Sequence, residues 1–291
     1  MGFPTFGNLY QHLLLVLPFT SVPESFNYDN PNEWFQEYPQ CIGFKQSPIA
    51  INTHKSYNVN LPPLIYGYYD DLFEELLLLK NNGHTIEFEI PKTILGGKPF
   101  ITGGLLSSIY EAQAAHFHWG SSQQKGSEHM LNGKRYDLEM HIVHKNSKYK
   151  DLKEAREYED GIAVVAVLFK VVKSPNVYYP ALNDIYNTLP QLVHYNSSSS
   201  TSQFLTLGAL LGNINREDYF TYKGSLTTPP CSEAVTWHIF PEVVPISYLE
   251  LPKFWQILDK RGQLLLNNFR PLQLQEHRKV FHQNPHLNHI F

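Results

Sequence analysis

Residues 115–146 read AHFHWGSSQQKGSEHMLNGKRYDLEMHIVHKN, with two β-rich segments on either side of a polar stretch. The first segment carries His116 and His118, and the second carries His141. Residues two apart on a strand point to the same face, so His116 and His118 should share one face. Three neutral imidazoles that leave a fourth position to water are the ligand set of a catalytic zinc ion.

An HxH pair is weak evidence for a metal when it stands alone. The chain has 14 histidines, so a third histidine in a second strand adds little unless neighbouring residues supply the rest of the chemistry. The flanking sequence therefore has to be weighed before a metal is assigned.

The pattern of apolar residues along the chain predicts a β-rich domain. Alternating or continuous apolar runs bounded by Gly, Pro or Asn predict strands over residues 85–90, 114–119, 138–143, 162–171 and 234–240. The run at 162–171 is almost wholly apolar, which is typical of a central strand covered on both faces. Short helices are expected at 183–189 and 251–258, and the serine-rich segment 196–202 is expected to be a flexible surface loop.

The composition is that of one folded domain. The chain has 291 residues, 42% of them hydrophobic and 17% charged, with a formal net charge of −4. The chain has no basic stripe, which argues against a nucleic-acid partner. No sequence of linker composition occurs between residues 24 and 280, so one β-dominated domain over 23–291 is the simplest prediction.

The N-terminus predicts export. An apolar run at 13–17 precedes Pro18, Thr20 and Ser21, which is typical of a signal peptide, here assigned to residues 1–22. The run is too short to span a bilayer, and the polar segment 278–291 offers no membrane anchor. The predicted location is therefore extracellular, and Asn196-Ser197-Ser198 becomes a candidate glycosylation acceptor.

Two cysteines, Cys41 and Cys231, lie far apart in the sequence. They cannot form a zinc knuckle, which needs closely spaced pairs. Two readings remain open from the residues alone: two buried thiols, or one long-range disulfide in an exported protein.

Further motifs occur in order along the chain, and together they resemble the α-carbonic anhydrases over residues 26–280. The motifs are QSPI at 46–49, NNGH at 81–84, HFHWG at 116–120, GSEH at 126–129, LEMHIVHKN at 138–146, GSLTTPPC at 224–231 with VTW at 235–237, and NFRP at 268–271.

The resemblance implies a zinc enzyme that hydrates carbon dioxide reversibly to bicarbonate and a proton, through attack by zinc-bound hydroxide. It implies that His116, His118 and His141 ligate zinc. It also implies that Glu139 orients His141, and that the backbone carbonyl of Asn268 orients His118.

The resemblance also implies roles for polar residues around the metal. Thr227 would accept a hydrogen bond from the hydroxide and donate a hydrogen bond to Glu128, because an ionised carboxylate only accepts. Thr228 would contact bicarbonate, and His84 would relay the product proton to solvent. Tyr28 and Asn82 would order the relaying waters. An apolar wall beside the hydroxide would be formed by Val143, Val164, Leu226, Val235 and Trp237.

The implied fold is mainly β, a single domain with a large, mostly antiparallel, twisted central sheet and short peripheral helices. The resemblance further implies a disulfide between Cys41 and Cys231, and inhibition by anions and sulfonamides. The alternative, a carbonic-anhydrase-like binding module without catalysis, is disfavoured because all three histidines are present together with Thr227 and Glu128. Another zinc hydrolase is also disfavoured, since no HExxH pattern occurs.

Three positions depart from the family pattern. Ala114 stands where a glutamine usually bonds the first zinc histidine, and Gln113 lies one residue earlier. Glu87 occupies a cavity position that is often Asn or Gln, where its charge is expected to weaken binding of anionic inhibitors. Phe26 replaces a tryptophan of the N-terminal cluster. The Ala114 change predicts weaker support for zinc at His116.

Overall fold

The computed structural model describes residues 26–284. The predicted signal segment, residues 1–22, lies outside the described residues. The strands are β1 Ala50–Ile51, β2 Tyr57–Val59, β3 Ile65–Gly67, β4 Leu78–Asn81, β5 Ile86–Glu89, β6 Phe100–Thr102, β7 Tyr110–Trp119, β8 Met130–Leu131, β9 Lys134–Arg135, β10 Leu138–Asn146, β11 Ile162–Val172, β12 Ser198–Ser200, β13 Tyr219–Gly224, β14 Val235–Ser247 and β15 Phe281–Gln283.

Helices are few and short. The α-helices are α1 Leu152–Ala155, α2 Pro180–Thr188 and α3 Leu251–Phe254, and the 3₁₀ helices are Pro31–Gln36, Pro39–Ile42, Leu189–Gln191 and Gly208–Leu211. Within residues 26–284, no helix has both the length and the hydropathy that a membrane crossing needs.

A 12-stranded mixed sheet forms the centre of the domain. Its main path runs β12-β4-β5-β7-β10-β11-β14-β13-β15-β2, while β6 joins the first half of β7 and β3 pairs with β6. Among the strand pairs of this sheet in the described residues, only β11–β14 and β15–β2 are parallel. A three-stranded sheet, β1-β8-β9, lies apart. The prediction of a mainly β domain with a large, mostly antiparallel sheet is confirmed.

The central strands are buried on both faces, which explains their continuous apolar sequences. Every residue of β10 is buried, and β11 is buried from Ile162 to Phe169. One apolar cluster takes Ala163, Val165 and Val167, and the cluster on the other face takes Val164 and Ala166. The period of two along each strand thus divides the core into two layers.

The five predicted strands are all present, although their first and last residues differ from the predicted bounds.

The two predicted helices also differ in their bounds. The second is shorter than 251–258, because α3 ends at Phe254 and Leu258 forms a bridge with Leu264. The first helix begins earlier, at Pro180, a residue suited to the first helical turn.

The expectation of a loop over 196–202 is partly wrong. Ser198–Ser200 form the edge strand β12, which pairs antiparallel with β4. Serine has little strand preference, so this pairing comes from the neighbouring strand and left no signal in the sequence.

Cys41 and Cys231 form a disulfide across a sequence separation of 190 residues. Phe26, Trp34 and Tyr38 pack around it as a small cluster. The bridge joins the N-terminal 3₁₀ helices to the loop that carries Thr227 and Thr228, so it holds that loop from one side.

Replacing Cys41 and Cys231 together by serine is expected to lower the free energy of unfolding by about 2–5 kcal/mol, because the bridge closes a very long loop in the unfolded chain. Urea unfolding followed by fluorescence measures the change. The matched control is the native chain with its disulfide reduced, which should show the same loss. Coincident unfolding midpoints for the oxidised native protein and the double variant would contradict the prediction.

Candidate metal centre

The register of β7 against β10 brings the three histidines together. His141 lies directly opposite His116, and His118 lies opposite Glu139. All four side chains occupy one face of the sheet, while Phe117 packs into the core on the other. One nitrogen from each histidine falls within 4.8 Å of the others.

Hydrogen bonds behind two of the rings determine which nitrogen faces the centre. Nδ1 of His118 donates to the Asn268 carbonyl at 2.8 Å, and Nε2 of His141 donates to Glu139 at 2.7 Å. In the neutral rings, the remaining nitrogens, Nε2 of His118 and Nδ1 of His141, carry lone pairs and lie 3.1 Å apart. Both predicted orienting contacts, from Asn268 and from Glu139, are present.

The donor set fits zinc. Two lone pairs that converge to 3.1 Å repel each other unless a cation binds both. Burial lowers the pKa of His116 and of His118, so both rings are neutral, as metal ligation requires. His118 and His141 are buried whereas His116 is partly exposed, so solvent reaches the centre from the His116 side.

Glu139 positions the groups around the metal centre through four hydrogen bonds. Its Oε2 accepts from the backbone N–H groups of Glu128 and His129 at 2.7 and 2.8 Å, and its Oε1 accepts from the His129 and His141 rings at 2.7 Å each. Burial opposes ionisation, but the His129 and His141 contacts outweigh it and hold the pKa of Glu139 well below its usual range.

His116 lacks the support that the other two ligands have. Within residues 26–284, no hydrogen bond reaches either of its ring nitrogens. Gln113 occupies the extra position where the β7–β10 register shifts, and its amide donates to the Glu111 and Ala112 carbonyls. The side chain of Gln113 is therefore not displaced onto His116. Glu87 lies opposite His116 on β5, and burial raises its pKa.

Glu128 and Thr227 are both buried, but the predicted bond between them is not formed in this structure. Oε1 of Glu128 accepts from the Arg270 N–H at 2.8 Å, whereas Oε2 has no hydrogen-bond partner in the described chain. Oε2 lies 3.5 Å from Nε2 of His118. A free carboxylate oxygen beside the imidazoles suits a centre that carries positive charge.

The five predicted wall residues do come together. Val143, Val164, Val235 and Trp237 belong to one apolar cluster, and Leu226 packs against it. The rings of Trp237 and His141 lie 4.8 Å apart between centroids, so the cluster borders the metal centre. Thr228, in the same loop as Thr227, is partly exposed.

His84 is stacked on Phe26, with ring centroids 4.0 Å apart. Burial, aided by nearby Lys260, lowers the pKa of His84 to about 4. Asn82 accepts from the backbone N–H groups of His84 and Thr85 at 2.9 Å each, which fixes the turn that carries His84. Tyr28 is also packed against Phe26, with centroids 5.8 Å apart.

Sequence reasoning missed the residues behind Glu139. His129 Nδ1 donates to Glu139, and its Nε2 lies 2.7 Å from the Tyr222 hydroxyl. That hydroxyl lies 2.9 Å from Ser47 Oγ, which accepts from the Ser225 N–H. His129 and Ser47 belong to quoted motifs, but their contacts follow from the tertiary structure alone.

Comparison with known proteins identifies the family. Residues 29–284 match the model of the eukaryotic-type carbonic anhydrases. The chain belongs to the α-carbonic anhydrases. It is 37% identical over 254 residues to carbonic anhydrase 6 of Homo sapiens, covering 85% of this chain and 78% of the relative. It is 34% identical over 258 residues to carbonic anhydrase 15 of Mus musculus, covering 86% of this chain and 78% of the relative.

Carbonic anhydrase 6 of Canis lupus familiaris is 38% identical over 246 residues, covering 82% of this chain and 73% of the relative. As a carbonic anhydrase, this chain is a carbonate dehydratase that interconverts carbon dioxide and bicarbonate. The triad of His116, His118 and His141 is the zinc site typical of the family. The predicted family, enzyme class and cofactor are therefore confirmed.

Replacing Glu139 by Gln is expected to raise the dissociation constant for zinc about 10–100-fold, because the amide cannot accept from all four donors. Competition with a chromophoric chelator measures the constant. Glu89→Gln, an exposed carboxylate on β5, is the control and should leave zinc affinity unchanged. Equal affinities for the two variants would show that Glu139 does not support the ligands.

Proposed function

We propose that this carbonic anhydrase hydrates carbon dioxide with the side chains that converge on the triad. The observation that carries the proposal is the contact between the histidines and an apolar cluster, seen at His141 and Trp237. Carbon dioxide is small and apolar, so it suits a wall of valine, leucine and tryptophan beside a polar centre. Bound zinc supplies a nucleophile at neutral pH by lowering the pKa of a coordinated water to about 7.

Thr227 and Glu128 act as an orienting pair. An ionised Glu128 only accepts hydrogen bonds, so in the working enzyme Thr227 donates a hydrogen bond to Glu128, one that is not formed in this structure, and turns an oxygen lone pair toward the attacking group. The partner-free Oε2 of Glu128, buried beside His118, supports this role because it is an acceptor still able to take that proton. Thr228, partly exposed in the same loop, contacts the bicarbonate product.

His84 relays the product proton, and Tyr28 and Asn82 order the waters along which the proton moves. On Phe26 the His84 ring has a pKa of about 4 and is a poor base at neutral pH. Relay therefore requires the ring to leave Phe26 for water, where its pKa returns toward about 6.5. The turn held by Asn82 keeps the backbone of His84 in place during that movement.

Export through the secretory pathway, with signal cleavage near residue 22, forms a further part of the proposal. The Cys41–Cys231 disulfide supports it, since such bridges persist in oxidising compartments. Asn196 has an exposed side chain, as a glycosylation acceptor requires. N-terminal sequencing of protein recovered from the medium of secreting cells tests the cleavage site, and loss of mass on enzymatic deglycosylation tests Asn196.

Anions and sulfonamides are the proposed inhibitors. The partial exposure of His116 supports this, because it leaves a solvent path to the triad. Glu87, opposite His116, adds a carboxyl group to that path and is proposed to weaken the binding of anionic inhibitors. Glu87→Gln should then tighten inhibition by small anions.

Stopped-flow carbon dioxide hydration is expected to show activity that a zinc chelator abolishes and added zinc restores. Thr227→Val should lower kcat/KM by about 100-fold, because it removes the orienting hydroxyl while keeping the shape. Thr53→Val, at a half-buried site distant in sequence, is the matched control. Folded, zinc-loaded protein without chelator-sensitive hydration would instead indicate a binding module.

His84→Ala is expected to lower kcat by about a hundredfold in weak buffer, since the proton then loses its side-chain relay. Concentrated imidazole should restore kcat in the variant, and kcat/KM should change little. Unchanged kcat in weak buffer would remove His84 from the relay.

A further inference from the structure

Tyr158 differs in its sequence surroundings from the other tyrosines of the chain, which has 18 in all. It lies in the sequence REYEDG, directly between Glu157 and Glu159, whereas every other tyrosine has at most one acidic neighbour. Glu154 and Asp160 place two further carboxyl groups within four residues of it. A residue so surrounded belongs at the surface, because charged side chains are rarely buried without partners.

The structure presents this tyrosine to solvent. The exposed fraction of Tyr158 is 47%, and its neighbours Glu157 and Glu159 are exposed as well. One face of the ring stacks on Tyr149, with centroids 4.4 Å apart, which holds the ring at the surface. A groove of about 320 Å³, lined in part by Tyr158 and both glutamates, opens beside it. The tyrosine is therefore accessible to another molecule from the side of the groove.

The backbone around Tyr158 is held by local hydrogen bonds. The N–H of Glu157 donates to the Glu154 carbonyl at 3.0 Å, and the N–H of Tyr158 donates to the Ala155 carbonyl at 3.1 Å. The N–H of Gly161 donates to the Tyr158 carbonyl at 3.0 Å. Each bond joins residues three apart, so this turn can open without breaking a strand pair. An enzyme that binds its acceptor as an extended segment can therefore reach Tyr158.

The segment carries a local excess of negative charge. Residues 154–160 contain four carboxyl groups and one guanidinium group. Glu157 pairs with Arg156, and Glu159 pairs with Lys45, and both glutamates remain exposed in these pairs. Surface ion pairs are weak, so a basic partner can displace them. Acidic residues on both sides of the tyrosine complement a basic enzyme cleft and speed the encounter with it.

We propose that Tyr158 is a site of tyrosine O-sulfation by a sulfotransferase that uses a sulfonucleotide as donor. The proposal rests on the proposed export, because tyrosine sulfotransferases act in the secretory pathway. In the transfer, the phenol oxygen of Tyr158 attacks the sulfur atom of the donor, and the bond from sulfur to the donor's phosphate oxygen breaks. The phenol proton passes to a base of the transferase, and the nucleotide leaves as a bisphosphate. The product is a sulfate ester with one additional negative charge.

Incubation of the folded, zinc-loaded protein with a purified tyrosine sulfotransferase and a labelled sulfonucleotide tests the site without relying on export. Peptide mass spectrometry should find one added SO₃ group on Tyr158, and Tyr158→Phe should take up no label. Tyr178 is the internal control, because it is 69% exposed but has no carboxyl group beside it. Transfer to Tyr178 in place of Tyr158, or no transfer to the native chain, would overturn the proposal.

A charge variant tests how the site is recognised. Glu157→Gln combined with Glu159→Gln should lower the rate of transfer to Tyr158 by about tenfold or more, because the electrostatic attraction to the enzyme is lost. The matched control is Glu74→Gln combined with Glu75→Gln, which removes the same charge from two exposed glutamates elsewhere. Equal transfer rates for the two double variants would contradict recognition through the flanking carboxyl groups.

Protein recovered from the medium of secreting animal cells provides the test in the natural setting. The peptide that contains Tyr158 should carry a group that acid removes and a phosphatase does not. Unmodified Tyr158, or a phosphate that the phosphatase removes, would overturn the proposal. Retention of the chain inside the cells would contradict the proposed export, and the reaction with purified sulfotransferase would then decide on Tyr158 by itself.

Discussion

The carboxylate of Glu139 is buried in the middle of the sheet, where no water can solvate it. Four hydrogen-bond donors converge on it. An unpaired charge in such a place would cost several kcal/mol, so the donors and the carboxylate require one another. Two of the donors are backbone N–H groups of the loop before β8, and one is the His141 ring. The interaction that makes His141 a ligand therefore also fixes the loop that carries Glu128.

The same constraint extends from the metal centre to the edge of the domain. The His129 ring contacts Glu139 with one nitrogen and the Tyr222 hydroxyl with the other. The Tyr222 hydroxyl in turn contacts Ser47 of the QSPI motif. Arg270 joins this region from the other side: its guanidinium donates to the carbonyls of Ser47 and Cys41, and its N–H donates to Glu128. Motifs far apart in the sequence thus form one buried network, which explains why they occur together.

The two faces of the sheet carry different sets of residues. One face holds the histidines and the apolar cluster that contains Val143 and Trp237. The other face holds the larger core, in which Phe117 and Met140 pack. Because side chains alternate along a strand, each change on β7, β10 or β14 is confined to one of these environments. Trp237 and His238, adjacent in sequence, illustrate this division.

The sequence by itself determined five of the strands and the residue types of the site. Alternation placed His116 and His118 on one face, continuous apolar residues identified β11 as a doubly covered strand, and the ordered motifs identified the family. Only the tertiary structure decided that His141 lies opposite His116, that Gln113 occupies the irregularity in β7 and leaves His116 unsupported, and that His84 rests on Phe26. Periodicity reports which face a side chain takes, whereas register, bulges and rotamers depend on contacts between residues distant in sequence.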